Sequence, residues 1–207
     1  LFRLNLVDWS YEFLDNNFKQ LHCIDLQFIK LSDLEDYILY GMEVLALHKD
    51  GFKQPMHFEI PNYQHAEDIL KKTHPFHLEE WMAYRSLANT TCNQILGSFQ
   101  SKAEVRIWPH HFDTAIYFKL NSKVYLGFGL AMQDDLSKQP YFYASAYNTE
   151  AKAITVNPQK NTLAAGEWLD TENFQAAILS LKEIKSGEEG LIHSYLRSVL
   201  KIYLSLP

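Results

Sequence analysis

The sequence predicts an α+β fold: a mostly helical N-terminal half, an antiparallel β-meander in the second half, and a C-terminal helix packed on the sheet. Up to about Phe99, apolar residues recur at the spacing of helix faces. From about Glu104 onward they alternate as strand residues do, and the segment 188–206 returns to helical spacing. No internal repeat or Gly/Ser/Pro linker divides the chain, so a single domain over 1–207 is expected.

In the first half, Ser32 and Glu35 match a capping box, which predicts the start of a helix that ends near Gly51. Three further elements are predicted before Glu104: a short strand at 56–60, an amphipathic helix at 62–72, and a long helix at 77–99. The long helix has the clearest pattern, because one stripe of apolar residues runs along its length.

In the second half, the turn residues Asn121 and Ser122 separate two alternating segments and predict a hairpin. Strands are predicted at 105–108, 113–120, 123–132, 140–147, 153–156 and 174–181. The last of these segments also fits a helix, and the turn residues at 170–173 favour the strand. The closing helix is predicted at 188–206.

Charge and hydropathy argue against two classes of partner, nucleic acids and membranes. The net charge is 19 − 25 = −6 with the nine histidines neutral, and no basic stripe is present, so we expect no nucleic-acid partner. No apolar run approaches the roughly 18 residues of a membrane span, so we expect no membrane partner either. Cys23 and Cys92 lack metal-ligand spacing and are expected to be free buried thiols, with a single disulfide as the alternative.

The cysteine usage and the composition favour a cytoplasmic protein. The chain begins at Leu1 rather than at Met, which is compatible with removal of preceding residues, so the lack of a signal peptide is weak evidence for that location. The sequence indicates no particular cofactor and no oligomeric state.

The densest polar motif is Trp108-Pro109-His110-His111-Phe112-Asp113, between two predicted strands. Pro109 favours a kink or a strand end, which would bring both imidazoles toward one point. His111 is then a candidate general base and Asp113 its orienting carboxylate, while His110 contacts a ligand. Two alternatives remain open: the histidines and an aspartate bind a metal, or they satisfy backbone groups at a corner.

Two other segments supply candidate ligand-binding residues. Asp134 and Asp135 lie in a loop between strands, where they either receive a metal or a basic group of a ligand or merely form a solvated turn. Tyr141 and Tyr143 share one face of an alternating strand and offer rings and hydroxyl groups to a pocket. The preceding strand presents a face of small residues at 127, 129 and 131, which either neighbouring rings cover or a ligand approaches.

Four segments together form a recognisable pattern: Val105 to Asp113, Gly127-Phe128-Gly129, the nearby acidic pair, and Pro140 to Tyr147. This pattern is similar to a bacterial family of uncharacterised proteins, and the resemblance covers about residues 100–180. A Gly-x-Trp element, here Gly166 to Trp168, and an apolar strand complete it. The resemblance implies that three segments, His-His-Phe-Asp at 110–113, Asp-Asp at 134–135 and Tyr-Phe-Tyr at 141–143, converge in space; it implies no activity, cofactor or substrate.

The leading hypothesis is a small-molecule-binding protein, and whether it is an enzyme stays open. Its pocket is predicted at the His110-His111-Asp113 corner of the sheet. One rival hypothesis is a metal-dependent hydrolase with histidine and aspartate ligands. The other is a structural or partner-binding domain without a catalytic site.

Overall fold

The computed structural model describes residues 1–52, 54–55, 67–72, 75–109, 112–134, 136–171, 174–184 and 190–206. The chain divides into two compact units, Leu1–Trp81 and Met82–Pro207, which are described separately. This division does not decide whether the chain is one domain, so that expectation stays a prediction.

Unit 1 begins with strands, and the prediction of a mostly helical N-terminal half is wrong. An antiparallel sheet is formed by β1 (Phe2–Asn5), β2 (Ser10–Leu14) and β3 (Gln20–Asp25), in that order. The connections between them contain no glycine: Trp9 and Phe18 adopt positive φ, and the Asp15 carboxylate accepts backbone N–H bonds from Asn17 and Lys19. Short strands joined by such turns carry a weak sequence signal, because glycine is the residue that marks left-handed turns.

The first helix, α1, spans Leu34–Val44 after a 3-10 turn at Leu31–Asp33. It therefore ends well before Gly51, and Asp33 rather than Ser32 is its N-cap residue. Gly41 lies where α1 approaches the sheet, since a Cβ there would be 2.7 Å from the Phe13 ring. A glycine in mid-helix costs helix propensity, but here it permits close packing of helix on sheet.

Two other predictions for this unit concern residues 56–72. Within the predicted helix at 62–72, residues 67–72 are not helical, and Ile69 instead forms an isolated antiparallel bridge with Lys30. The predicted strand at 56–60 and residues 62–66 lie outside the described residues.

The second helix, α2 (Pro75–Ser98), contains the boundary between the units and agrees with the helix predicted at 77–99. Unit 2 contains a seven-stranded antiparallel sheet, which confirms the predicted antiparallel sheet, and a closing helix. Its elements are β4 (Arg106–Trp108), β5 (Asp113–Lys119), β6 (Tyr125–Ala131), β7 (Tyr141–Tyr147), β8 (Ala153–Ile154), β9 (Glu167–Asp170), β10 (Gln175–Ser180), a 3-10 turn (Leu181–Glu183) and α3 (Gly190–Leu204). The spatial order is β4-β5-β6-β7-β10-β9, with β8 paired to β7.

The main hydrophobic core of unit 2 lies on one face of this sheet. Phe128 and Phe142 stack there with ring centroids 5.5 Å apart and belong to one cluster with buried residues of α2 and α3. The buried tyrosines of α3 tie the helix to the sheet: the Tyr195 hydroxyl donates to the Ala177 carbonyl at 2.7 Å, and that of Tyr203 to Ala144 at 3.0 Å. Because strand residues alternate, the opposite face presents a different set of side chains. A smaller buried cluster lies on that other face and consists of Ala131, Tyr141, Ala176 and Ile178.

No helix in the described part of the chain is both long and apolar enough to cross a membrane. Both cysteines are free thiols, as expected, but only Cys92 is buried, whereas Cys23 is exposed on β3. The expectation that both thiols are buried is therefore wrong for Cys23.

Candidate functional site

The sheet face opposite the main core combines small residues with tyrosines, one carboxylate and one lysine. The strand register places them in rows across the three central strands, with Ala115 beside Gly129, and Gly129 beside Tyr143. This face consists of Asp113, Ala115, Tyr117 and Lys119 from β5, Tyr125, Gly127, Gly129 and Ala131 from β6, and Tyr141, Tyr143, Ser145 and Tyr147 from β7. At its centre, β6 therefore carries smaller side chains on this face than β7, which lies beside it.

Neighbouring groups exclude a side chain at Gly129 of β6 and leave little room for one at Gly127. A Cβ at Gly129 would lie 2.3 Å from the Ala115 Cβ and 2.7 Å from the Thr114 carbonyl oxygen, so no side chain fits there. A Cβ at Gly127 would lie 3.2 Å from both the Ser145 Oγ and the Tyr147 ring. A neighbouring ring therefore lies beside Gly127, as one of the two interpretations of the small-residue face expects, whereas Gly129 is crowded by β5 and not by a ring.

Asp113 and Tyr143 form the polar centre of this face. Asp113 is only 6% exposed, and its Oδ2 accepts a hydrogen bond from the Tyr143 hydroxyl. Because β6 lies between β5 and β7, this bond crosses β6, where Gly129 and Ala131 leave room for it. Burial, followed by the nearby Asp113 charge and the hydrogen bond to it, raises the pKa of Tyr143 well above its usual value. The phenol therefore stays protonated and acts as a donor at neutral pH.

Arg85 of α2 contacts the residues at the start of β5. Arg85 was not identified as a site residue from the sequence. Its guanidinium donates to the Thr114 hydroxyl at 2.6 Å and to the Phe112 carbonyl, and lies 4.7 Å from the centre of the Phe112 ring. Burial lowers the pKa of Arg85, and the charge of Asp113 opposes that shift. Phe112 itself has a φ of 57°, a backbone conformation uncommon for a bulky residue. No local spacing links Arg85 to the start of β5, because only the packing of α2 brings it there.

Asp134 has a double role in the loop after β6. Its Oδ1 accepts the backbone N–H groups of Leu136 at 2.8 Å and Ser137 at 2.9 Å, which makes it a turn-forming carboxylate. Its Oδ2 accepts the Tyr141 hydroxyl at 2.7 Å. Burial, together with the hydrogen bond to Asp134, raises the pKa of Tyr141. Two tyrosines of β7 therefore each donate to a separate carboxylate.

Two adjoining cavities open on this face. We call the larger, of about 450 Å³, the aromatic lobe; its described lining includes Trp108, Tyr117, Ser145 and Ala151. We call the smaller, of about 300 Å³, the acidic lobe; its lining includes Ala131, Asp134, Leu136, Tyr141 and Phe174. Among the described residues, Asp113, Tyr143 and Tyr147 line both lobes. The Tyr143–Asp113 hydrogen bond therefore lies where the lobes meet.

The structure brings four of the candidate residues together around the acidic lobe: Asp113, Asp134, Tyr141 and Tyr143. His110, His111 and Asp135 lie outside the described residues, so the general-base role of His111 stays a prediction. Among the residues that are described, no group of three or more His, Cys, Asp or Glu side chains could hold a metal ion. The metal alternative depends on His110 and His111 and is likewise still a prediction.

Sequence reasoning did not single out Tyr117 or Tyr147 as site residues. Alternation along β7 places Tyr147 on the same face as Tyr141 and Tyr143, so a signal for it existed. For Tyr117, the signal appears only once β5 is paired with β6, because the pairing sets Tyr117 opposite Gly127.

Comparison of the chain with protein-family models, with curated proteins and with solved structures found no match. The resemblance to a bacterial family therefore stays a prediction. Function is inferred from the residues and cavities of the sheet face.

Proposed function

We propose that this chain is a small-molecule-binding protein whose ligand occupies the aromatic and acidic lobes. The observation that carries the proposal is the pair of adjoining cavities, of about 450 and 300 Å³, that share Asp113, Tyr143 and Tyr147. Sites for small ligands are concave, have volumes of roughly 300–1,000 Å³, and combine apolar or aromatic walls with a few placed polar groups.

The placement of Asp113 supports this proposal. A carboxylate at 6% exposure loses hydration, and a partnered buried charge is often no more stabilising than a hydrophobic residue of similar size. Its position beside a cavity, hydrogen-bonded to a tyrosine, is typical of a group retained for recognition or proton transfer. In an enzymatic version of the proposal, Asp113 orients His111, which acts as the general base.

The finer assignments belong to the same proposal. We place the protein in the cytoplasm of a bacterium, since the family resemblance is bacterial and both thiols are free. A small-molecule ligand, rather than a nucleic acid, agrees with the net charge of −6.

A thermal-shift screen against a metabolite panel tests the binding function. A ligand at 100 times its Kd should stabilise the folded state by about 2.7 kcal/mol. Tyr147→Ala removes a ring that lines both lobes, and Trp108→Leu removes a ring of the aromatic lobe. Both variants should lose the ligand-induced shift.

Tyr37→Ala is the matched control, because Tyr37 is an exposed tyrosine on α1 that lines neither lobe. It should retain the shift. Circular dichroism of each variant establishes that it is folded before ligand is added. A ligand whose shift survives in both Tyr147→Ala and Trp108→Leu binds elsewhere, and that result would refute the proposed site.

A further inference from the structure

We propose that the ligand is an organic cation, an amine or alkylated ammonium, whose charged group sits in the aromatic lobe against Asp113. This inference rests on the proposed function, since it names the ligand class of the same site. Three observations support it: the charge of the lining residues, the direction of their hydrogen bonds, and the arrangement of their rings.

The described lining residues carry negative charge only. Asp113 borders both lobes and Asp134 borders the acidic lobe, while neither set of described lining residues includes a lysine or an arginine. The neighbouring Arg85 donates to Thr114 and to the Phe112 carbonyl and lines neither lobe, but its charge interacts with that of Asp113. The carboxylates of the lining attract a positively charged ligand and repel an anion, and Arg85 offsets part of this effect at Asp113.

Two tyrosine hydroxyls of the site use their protons on carboxylates. Tyr143 donates its proton to Asp113, and Tyr141 donates its proton to Asp134. A hydroxyl has one proton to donate and two lone pairs, so the oxygens of Tyr141 and Tyr143 keep acceptor capacity for N–H groups of a ligand. Tyr147 differs, because it accepts from Ser145 at 3.2 Å and keeps its own proton as a donor. Beside Asp113 and Asp134, a ligand therefore meets acceptors, which suits an N–H group better than a phosphate or carboxylate.

The rings form a corner suited to a cation. Tyr117 and Tyr147 meet nearly at right angles, with centroids 5.7 Å apart and planes inclined by 66°. Tyr125 stacks on one face of Tyr117, with centroids 5.5 Å apart, and helps to hold that ring in place. Trp108 pairs with Asp113 in the register and completes the lining. Cations bind favourably to the faces of tryptophan and tyrosine rings, and such rings form the usual recognition site for alkylated ammonium groups.

Isothermal titration calorimetry with two matched pairs of probes tests the inference. Choline is compared with its neutral isostere 3,3-dimethylbutan-1-ol, and butylamine with butan-1-ol. Titrations are run at about pH 8, where both cations keep their charge and histidines are mostly neutral. We expect at least one cation to bind about tenfold more tightly than its neutral partner, the scale set by a desolvated cation–π contact together with the carboxylate.

Two variants separate the attraction of the cation to the Asp113 carboxylate from its attraction to the aromatic rings. Asp113→Asn keeps the size and an acceptor oxygen but removes the charge, so it should weaken cation binding about tenfold and leave the affinity for the alcohols nearly unchanged. Tyr117→Leu removes one ring that is already 37% exposed, so the fold should tolerate the change, and cation binding should weaken about fivefold. Tyr37→Leu replaces a tyrosine of similar exposure outside the site and should not affect binding.

Two results would overturn the inference. Alcohols that bind as tightly as the cations would show a neutral ligand class while supporting a binding site on this face. Failure of both cations to bind would also exclude the cation assignment, and the thermal-shift screen would then decide the proposed function independently.

Discussion

The hydrogen bond from Tyr143 to Asp113 should be one of the strongest single polar contacts of unit 2. Its acceptor is a carboxylate at 6% exposure, and its donor is a phenol whose raised pKa keeps it protonated at neutral pH. Hydrogen bonds to charged groups contribute roughly 1.5–3 kcal/mol, against roughly 0.5–1.5 kcal/mol for ordinary ones. We therefore expect a coupling free energy of about 1.5–3 kcal/mol between the two side chains.

A double-mutant cycle measures this coupling. Tyr143→Phe removes the donor and keeps the ring, Asp113→Asn removes the charge and keeps the shape, and the third variant combines them. Asp113 has further interactions besides Tyr143, so the single variant alone would overstate the value of the bond. The cycle removes those shared contributions and leaves the pairwise free energy. The free energy of unfolding is obtained from urea titrations followed by tryptophan fluorescence and circular dichroism.

The neighbouring pair provides a comparison within the same site. Tyr141 donates to Asp134, but Asp134 is only half-buried and also accepts two backbone N–H groups. The corresponding cycle with Tyr141→Phe and Asp134→Asn should give about 0.5–1.5 kcal/mol. A coupling below about 0.5 kcal/mol for Tyr143 and Asp113 would contradict the assigned contact.

Three other predictions follow from the geometry. Gly129→Ala should destabilise unit 2 by about 1–3 kcal/mol, because the new Cβ meets the neighbouring strand at 2.3 Å. In the same urea titrations, Gly97→Ala in α2 has open space and should stabilise by about 0.5–1 kcal/mol; equal effects of the two changes would contradict the packing. Burial raises the folded-state pKa of Tyr195 above that of the unfolded chain, so its stabilising contribution is complete below about pH 10 and is lost as the pH rises further. Tyr195→Phe should make the free energy of unfolding fall less steeply above about pH 10, and an unchanged slope would count against a buried phenol. Burial raises the pKa of the Cys92 thiol to about 12, so a thiol reagent should label only the exposed Cys23 in the folded protein; rapid labelling of two thiols would disagree.

Local patterns predicted the elements of unit 2 well, since periodicity reports which face of an element is buried. The apolar stripe between residues 77 and 99 corresponds to α2, and alternation along residues 141–147 correctly separated the two faces of β7. The Asn121-Ser122 turn also forms as predicted, with the Asn121 Oδ1 accepting the N–H groups of Lys123 and Val124. The short strand β9 was missed, because Glu167–Asp170 has little alternation of its own.

The N-terminal prediction was wrong for a different reason. The strands β1 to β3 are four to six residues long, and their turns use Trp9, Asp15 and Phe18 instead of glycine. Strand stability depends on cross-strand pairing, so a short strand is weakly encoded in its own residues. The helical spacing that begins at residue 34 does correspond to a helix, α1. The prediction is wrong where it extends helical structure over the rest of the N-terminal half, which begins with three strands.

The sequence by itself determined that Asp113, Tyr141 and Tyr143 occupy strands, and that the two tyrosines share one face, because alternation is a local property of the chain. Only the tertiary structure decided that Tyr143 bonds to Asp113. Thirty residues separate these two side chains, and they meet because β6 inserts between their strands with residues small enough to leave room. Arg85 likewise joins the corner through helix packing. Pairing and packing join distant segments, so a site built across strands can be located from the sequence, but its contacts cannot be assigned from the sequence alone.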